Sequence, residues 1–105
     1  MAQFDVYPNP SRKTKKHMPY LLDIQNSFLS DLSTRIVIPL GLKSSFNNES
    51  MTRLTPEASY EGKKLLILTP QMASVPSSLL KKPIGSLSHF RDEIINSLDF
   101  AVSGI

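Results

Sequence analysis

The feature that most constrains the fold of this chain is one amphipathic segment, residues 86–105 (SLSHFRDEIINSLDFAVSGI). At about 100° per residue, its apolar side chains fall within an arc of roughly 140°. They are Leu87, Phe90, Ile94, Ile95, Leu98, Ala101, Val102 and Ile105. This spacing predicts a helix with a core-facing stripe. We expect Gly85, Ser86 or Ser88 to begin the helix and Gly104 to end it.

One aromatic residue of this segment lies off the apolar stripe. Phe100 falls on the side of the helix that also carries Glu93, Asn96 and Ser97. We therefore expect Phe100 to belong to an exposed apolar tip and the other three to face solvent. Exposed apolar patches often mark contact surfaces.

The rest of the chain contains short strand signals separated by turns. The segments are 3–7, 20–25, 35–40, 64–69 and 72–76, with two weaker ones at 51–55 and 57–60. The strongest is RIVIPL (35–40), which is β-branched and apolar on both faces. Pro39 lacks an N–H, so this strand should end, bulge or run along an edge there. Asp23, in an otherwise apolar strand, should lie on its exposed face.

Several short strands followed by one helix predict a mainly β fold. We expect a small antiparallel barrel whose open side is covered by the C-terminal helix. A chain of 105 residues is enough for one domain, 1–105, and too short for two.

Composition excludes several classes of protein. The chain has no cysteine and only two histidines, at positions without metal-ligand spacing, so we expect no disulfide, metal or cofactor. No apolar run approaches the ~20 residues of a membrane helix, and the N-terminal sequence lacks the order of a signal peptide. We therefore expect a cytoplasmic protein that does not bind a membrane.

The net charge of +3 is concentrated in one segment, residues 8–17 (PNPSRKTKKH), which we call the basic loop. Its charges are Arg12, Lys13, Lys15 and Lys16, with no acid, so it carries +4 and the remainder of the chain −1. A nucleic-acid-binding protein more often spreads its cations over a face. Two interpretations remain: a solvated connection, or a docking site for an acidic peptide.

Catalytic motifs are missing from the sequence. There is no glycine-rich phosphate loop, no cysteine nucleophile and no GxSxG elbow. His89 is a weak candidate for a general base, because a helix N-terminus disfavours its protonated form. We expect a binding protein and no enzyme.

Five segments, taken in order, resemble the CcdB family of toxins. They are Ile24–Gln25 at the end of the second strand, Arg35–Leu40 (RIVIPL), Met72–Pro76 (MASVP), Leu87–Ser88 at the helix start, and the final Gly104–Ile105. Each is weak alone, but five in register over nearly the whole chain are specific.

The resemblance implies a homodimer with an SH3-like barrel, a small extra sheet and a C-terminal helix. It also implies a toxin of a type II toxin–antitoxin pair that binds the DNA gyrase A subunit and traps the gyrase–DNA cleavage complex. A CcdA-like antitoxin would neutralise it, and the two together would bind operator DNA through the antitoxin and so regulate transcription.

Carried over residue by residue, the gyrase-binding set would be Phe28, Leu29, Asp99, Val102, Ser103, Gly104 and Ile105. The antitoxin-binding region would include Arg12, Lys13, Lys15 and Lys16. The plasmid member of the family has a tryptophan where this chain has Ser103. Because aromatic anchors often carry much of an interface's energy, this difference implies weaker gyrase binding, altered recognition, or compensation by Phe28 and Phe100.

Two other functions remain open. An endoribonuclease toxin of the MazF and Kid type would share the barrel, and its only candidate catalytic residues here are Arg35, Thr69 and His89. A non-toxic homologue that binds the antitoxin as a sink or regulator would fit the missing tryptophan.

Overall fold

The computed structural model describes residues 2–26, 33–46 and 54–104. Their strands are β1 (Asp5–Pro8), β2 (Tyr20–Asp23), β3 (Thr34–Leu42), β4 (Glu57–Tyr60), β5 (Lys63–Ile67), β6 (Ala73–Pro76) and β7 (Gly85–Ser86). The helix α1 is Arg91–Ser103. Short 3₁₀ turns lie at Lys43–Ser45, Thr69–Gln71, Ser77–Leu79 and Ser88–Phe90.

These strands form an antiparallel sheet in the order β4-β5-β3-β2-β1-β7. The long strand β3 organises it: β2 pairs with one side, while β6 and β5 pair in turn with the two halves of its other side. The arrangement of a curved, mainly β sheet with one C-terminal helix confirms the expected barrel-plus-helix fold. Within the described residues, no helix is long and apolar enough to span a bilayer.

Of the outcomes expected at Pro39, an end of the strand is wrong. The strand continues to Leu42, and Pro39 pairs with Leu21 of β2. The Pro39 carbonyl accepts the Leu68 N–H (3.0 Å) on the other side of β3. The N and C=O of a strand residue point to the same side, so the missing N–H faces the place where the partner of β3 changes from β6 to β5. No ladder bond to β2 is lost there.

One face of the sheet forms the main core with α1. Its buried members include Val6, Leu22, Ile38, Leu40, Leu65, Ile67, Leu87 and Ile94, and Phe90, Ile95 and Leu98 pack against them. The predicted helix is thus confirmed over most of its stripe. It starts later than the pattern suggested, because residues 88–90 form a 3₁₀ turn. The Ser86 hydroxyl accepts the Ser88 N–H (3.1 Å) at that turn, and α1 itself has no side-chain cap.

Two expectations about the helix faces are wrong. Ser97, placed on the solvent side by the helical wheel, is fully buried. Its hydroxyl lies 2.8 Å from the Thr69 hydroxyl and donates to the Ile94 carbonyl at 2.8 Å. Conversely, Ala101 and Val102, placed on the core side, are exposed, whereas Phe100 is half-buried. After Leu98 the apolar face of α1 no longer lies against the sheet. The spacing of apolar residues therefore does not predict which side chains are buried in that part of the helix.

The opposite face of the sheet carries a smaller cluster and a buried ion pair. Tyr7, Leu21, Val37 and Leu80 form the apolar part. Asp23, predicted to be exposed, is fully buried and lies 2.7 Å from Arg35, which is also fully buried. That prediction is wrong because a carboxylate can face the interior of a sheet when a cation on the adjacent strand neutralises it.

Candidate binding surfaces

The end of α1 is a protruding polar and apolar surface on a firmly packed base. Ile94 and Leu98 hold the helix against the sheet, and the Ser97–Thr69 hydrogen bond ties it to the turn after β5. Beyond this anchored part, residues 101–104 at the end of the helix are exposed. A well-anchored helix with an unburied last turn presents its final side chains in a fixed orientation.

The exposed last turn contains the described members of the predicted gyrase-binding set. Asp99, Val102, Ser103 and Gly104 are all exposed, and the Val102 side chain is 76% accessible. Gly104 adopts a left-handed conformation (φ 74°), and its N–H donates to the Phe100 carbonyl at 2.9 Å. This is the helix end that Gly104 was predicted to provide. Phe28, Leu29 and Ile105 lie outside the described residues.

Asp99 is poorly placed for helix stability. A carboxylate in the last turn of a helix faces the negative end of the helix dipole, and this last turn contains no basic residue. Asp99 also has no salt-bridge partner in the described ranges. The Ser103 hydroxyl donates to the Asp99 carbonyl at 2.6 Å. Folding alone therefore does not account for an acid at this position.

The basic loop has a defined turn structure built on one buried asparagine. The Asn9 side-chain amide donates to the Thr14 hydroxyl (2.9 Å) and the Met18 carbonyl (2.7 Å), and its oxygen accepts the Ser11 N–H (3.0 Å). This network closes a compact turn. It presents four exposed cations, Arg12, Lys13, Lys15 and Lys16, none of which has an ion-pair partner in the described part of the chain.

The candidate ribonuclease residues are not assembled into a site. Arg35 is fully buried in its pair with Asp23, and Thr69 is fully buried against Ser97. His89 is exposed and stacks on Phe90, with ring centroids 4.5 Å apart. Arg35 and Thr69 cannot reach an RNA phosphate unless the core opens. The described residues also contain no group of three or more His, Cys, Asp or Glu side chains that could hold a metal ion.

The buried ion pair is a feature that sequence reasoning missed. Arg35 Nε donates to Asp23 Oδ2 at 2.9 Å, Arg35 Nη2 reaches the Gln25 carbonyl at 3.3 Å, and Asp23 Oδ1 accepts the Gln25 N–H at 3.0 Å. Burial, and then the charges of Asp5 and Asp23, raise the pKa of Tyr7, whose hydroxyl lies on the same face of the sheet. The available signal was a lone acid in one strand and a lone arginine in the next.

A second missed feature is a group of lysines beside the basic loop. Lys43 follows β3, and Lys63 and Lys64 begin β5. Antiparallel pairing of Leu42 with Leu65 brings these two strand ends together. No sequence motif marks such a group, because its members lie about twenty residues apart and only the sheet register joins them.

One protein family matches this chain. A family model described as CcdB protein matches residues 3–104. Because this match covers nearly all of the 105 residues, the protein belongs to the CcdB family.

Proposed function

We propose that this protein poisons DNA gyrase by binding its A subunit through the exposed end of α1 and trapping the gyrase–DNA cleavage complex. Membership in the CcdB family indicates the toxin of a toxin–antitoxin pair. The observation that carries the finer proposal is the 76% exposed Val102 side chain, on a helix that is otherwise packed against the core. An exposed apolar side chain at the end of an anchored helix, near an acid with no salt-bridge partner in the described ranges, is suited to insertion into a partner.

The remaining parts of the proposal concern the other partners. We infer a homodimer from the family, and Ile36 supports it: it is 43% exposed although it lies on the same face of β3 as the fully buried Ile38. A second copy would cover it. A CcdA-like antitoxin would bind the four cations of the basic loop, and operator DNA would be bound only through the antitoxin. Sedimentation equilibrium of the purified protein tests the dimer.

The deciding experiment is a cleavage assay. Purified protein is added to gyrase, supercoiled plasmid and ATP, followed by detergent and protease to release linear DNA. We expect linear product that depends on both proteins. Its absence at concentrations well above that of gyrase would contradict the proposal.

Two variants assign the surface in that assay. Burying a valine contributes about 1.5–3 kcal/mol, so Val102→Asp should weaken poisoning by at least about tenfold without changing the thermal unfolding temperature. Ile84→Asp alters another exposed apolar side chain (44% accessible) and should leave poisoning unchanged. Equal effects from both variants would remove the helix end from the proposal.

The missing aromatic residue favours a second candidate, a non-toxic homologue that binds the antitoxin. Ser103 is exposed beside Val102, so Ser103→Trp would add a large apolar side chain to the same surface without a clash inside the core. If the natural protein gives no linear DNA and Ser103→Trp does, the gyrase surface is retained but the natural protein acts as an antitoxin sink or regulator. If neither variant nor natural protein does, the gyrase proposal fails.

A further inference from the structure

A cleft of about 500 Å³ opens where β3 ends and β5 begins. Among the described residues, Leu42, Lys43, Ser44, Lys63 and Lys64 line it. The two-residue turn at Glu61 and Gly62, both with positive φ (50° and 76°), is the type that joins twisted strands tightly. It places both lysines of β5 at the mouth of the cleft. The cleft therefore combines three cations with one apolar side chain.

The positive charge of this cleft is only partly neutralised within the protein. Lys43 Nζ lies 2.6 Å from the Glu57 carboxylate, and both side chains remain more than 40% exposed. Lys63 donates to the Tyr20 hydroxyl (3.0 Å), a neutral group, and this hydrogen bond raises the pKa of Lys63. Lys64 has no hydrogen-bond or salt-bridge partner in the described ranges. Glu61 beside Lys63 is the other nearby acid.

The cleft is continuous with the basic loop. The Leu42 N–H donates to the His17 carbonyl at 2.8 Å, and His17 Nδ1 lies 3.1 Å from the Ser45 hydroxyl. The end of the basic loop is thus fastened to the wall of the cleft. Lys16 directly precedes His17, so the basic loop leads its cations toward the three lysines of the cleft.

We propose that this cleft binds an acidic peptide segment of a partner protein as a continuation of the basic loop. Lys43 already forms an exposed salt bridge with Glu57. A carboxylate of an incoming peptide can take the place of Glu57 in that salt bridge. Leu42 provides an apolar contact beside the cations. Among the described residues, no aromatic ring lines the cleft for base stacking. These features favour a peptide over a nucleic acid.

The inference rests on the proposed function for the source of the segment, the antitoxin. Its test needs neither gyrase nor antitoxin, so the two can fail separately. The probe is a fluorescein-labelled synthetic peptide of repeated Glu-Leu-Glu, and binding to the full chain is followed by fluorescence anisotropy at low and moderate salt. A labelled DNA duplex of equal charge is the comparison.

We expect the double substitution Lys63→Gln, Lys64→Gln to weaken peptide binding about fivefold, because exposed ion pairs are individually weak. The matched control is Lys81→Gln, Lys82→Gln, another adjacent and exposed pair of lysines, which should change binding less than twofold. Equal losses would show that net charge alone attracts the peptide and would overturn the cleft as a site. Tighter binding of the DNA than of the peptide would overturn the choice of partner.

A second variant changes affinity in the opposite direction. Glu57→Gln releases Lys43 from its internal carboxylate and should tighten peptide binding about twofold to fivefold. A gain of affinity in a variant with an unchanged circular dichroism spectrum cannot be attributed to misfolding. Unchanged or weaker binding by Glu57→Gln would contradict the proposal even if the lysine variants failed to fold.

Discussion

The buried pair of Asp23 and Arg35 allows the sharpest test of what holds this fold together. Asp23 Oδ2 accepts from Arg35 Nε at 2.9 Å and lies 2.7 Å from Arg35 Nη2, and Asp23 Oδ1 accepts the Gln25 N–H. Both side chains of the pair are fully buried. Asp23→Ala would leave a guanidinium in the interior with no counter-charge. Removing one partner of a buried pair costs about 3–5 kcal/mol.

That loss is large against the total for a domain of this size, which is about 5–15 kcal/mol. At about 4 °C per kcal/mol, the unfolding temperature should fall by about 12–20 °C. Urea unfolding followed by circular dichroism measures the free energy, and a double-mutant cycle with Arg35→Met isolates the pair. We expect a coupling energy of more than about 2 kcal/mol. In the double variant the Gln25 backbone still loses its bonds to Asp23 and Arg35.

The matched control is the exposed salt bridge of Lys43 and Glu57. Its nitrogen–oxygen distance is 2.6 Å, nearly the same as the 2.7 Å of the buried pair. Distance therefore cannot separate the two, whereas burial and the further bonds to Gln25 can. Glu57→Gln should shift the unfolding temperature far less than Asp23→Ala. A loss below about 1 kcal/mol for Asp23→Ala, or similar losses for both variants, would refute the argument from burial.

Three further predictions concern the surfaces. Deleting Gly104 and Ile105 should abolish gyrase-dependent DNA linearisation while preserving the dimer and antitoxin binding; linearisation by the truncated protein would move the gyrase contact elsewhere. Replacing the four cations of the basic loop with glutamine should weaken antitoxin binding and its dependence on salt, measured by titration calorimetry, and unchanged affinity would leave the loop a simple connection. The Lys43 hydrogen bond lowers the pKa of Glu57, so its stabilisation is present above the ordinary carboxyl pKa and is lost as pH falls through the lowered value. The difference in unfolding temperature between natural protein and Glu57→Gln should therefore close below about pH 4; a difference that persists in stronger acid would contradict this.

The sequence predicted what local patterns control. β3 and β5 were visible as strand segments, and α1 as a repeat of apolar positions. Each of these depends on neighbours within a few residues. The glycine at the end of α1 was equally predictable, because a left-handed residue is needed there and glycine adopts that conformation without strain.

The wrong expectations share one cause, which is contact between distant segments. The burial of Ser97 depends on a hydroxyl from Thr69, twenty-eight positions away. Asp23 could be assigned to the interior only by knowing that Arg35 lies on the adjacent strand. The helical wheel also assumed that a partner runs along the whole helix. It failed at Val102 because the sheet ends before the helix does.

Because α1 extends beyond the sheet, different residues of the helix carry its folding role and its proposed binding role. The residues that stabilise the domain, Ile94, Ser97 and Leu98, precede the last turn, whereas Asp99 and Val102 contribute little to folding or oppose it. An acid at the negative end of a helix dipole costs a few tenths of a kcal/mol to about 1 kcal/mol. A favourable contact in a complex would offset that cost. Asp99→Asn should therefore stabilise the free protein slightly while weakening whatever binds the helix end, and this opposition distinguishes a binding residue from a structural one.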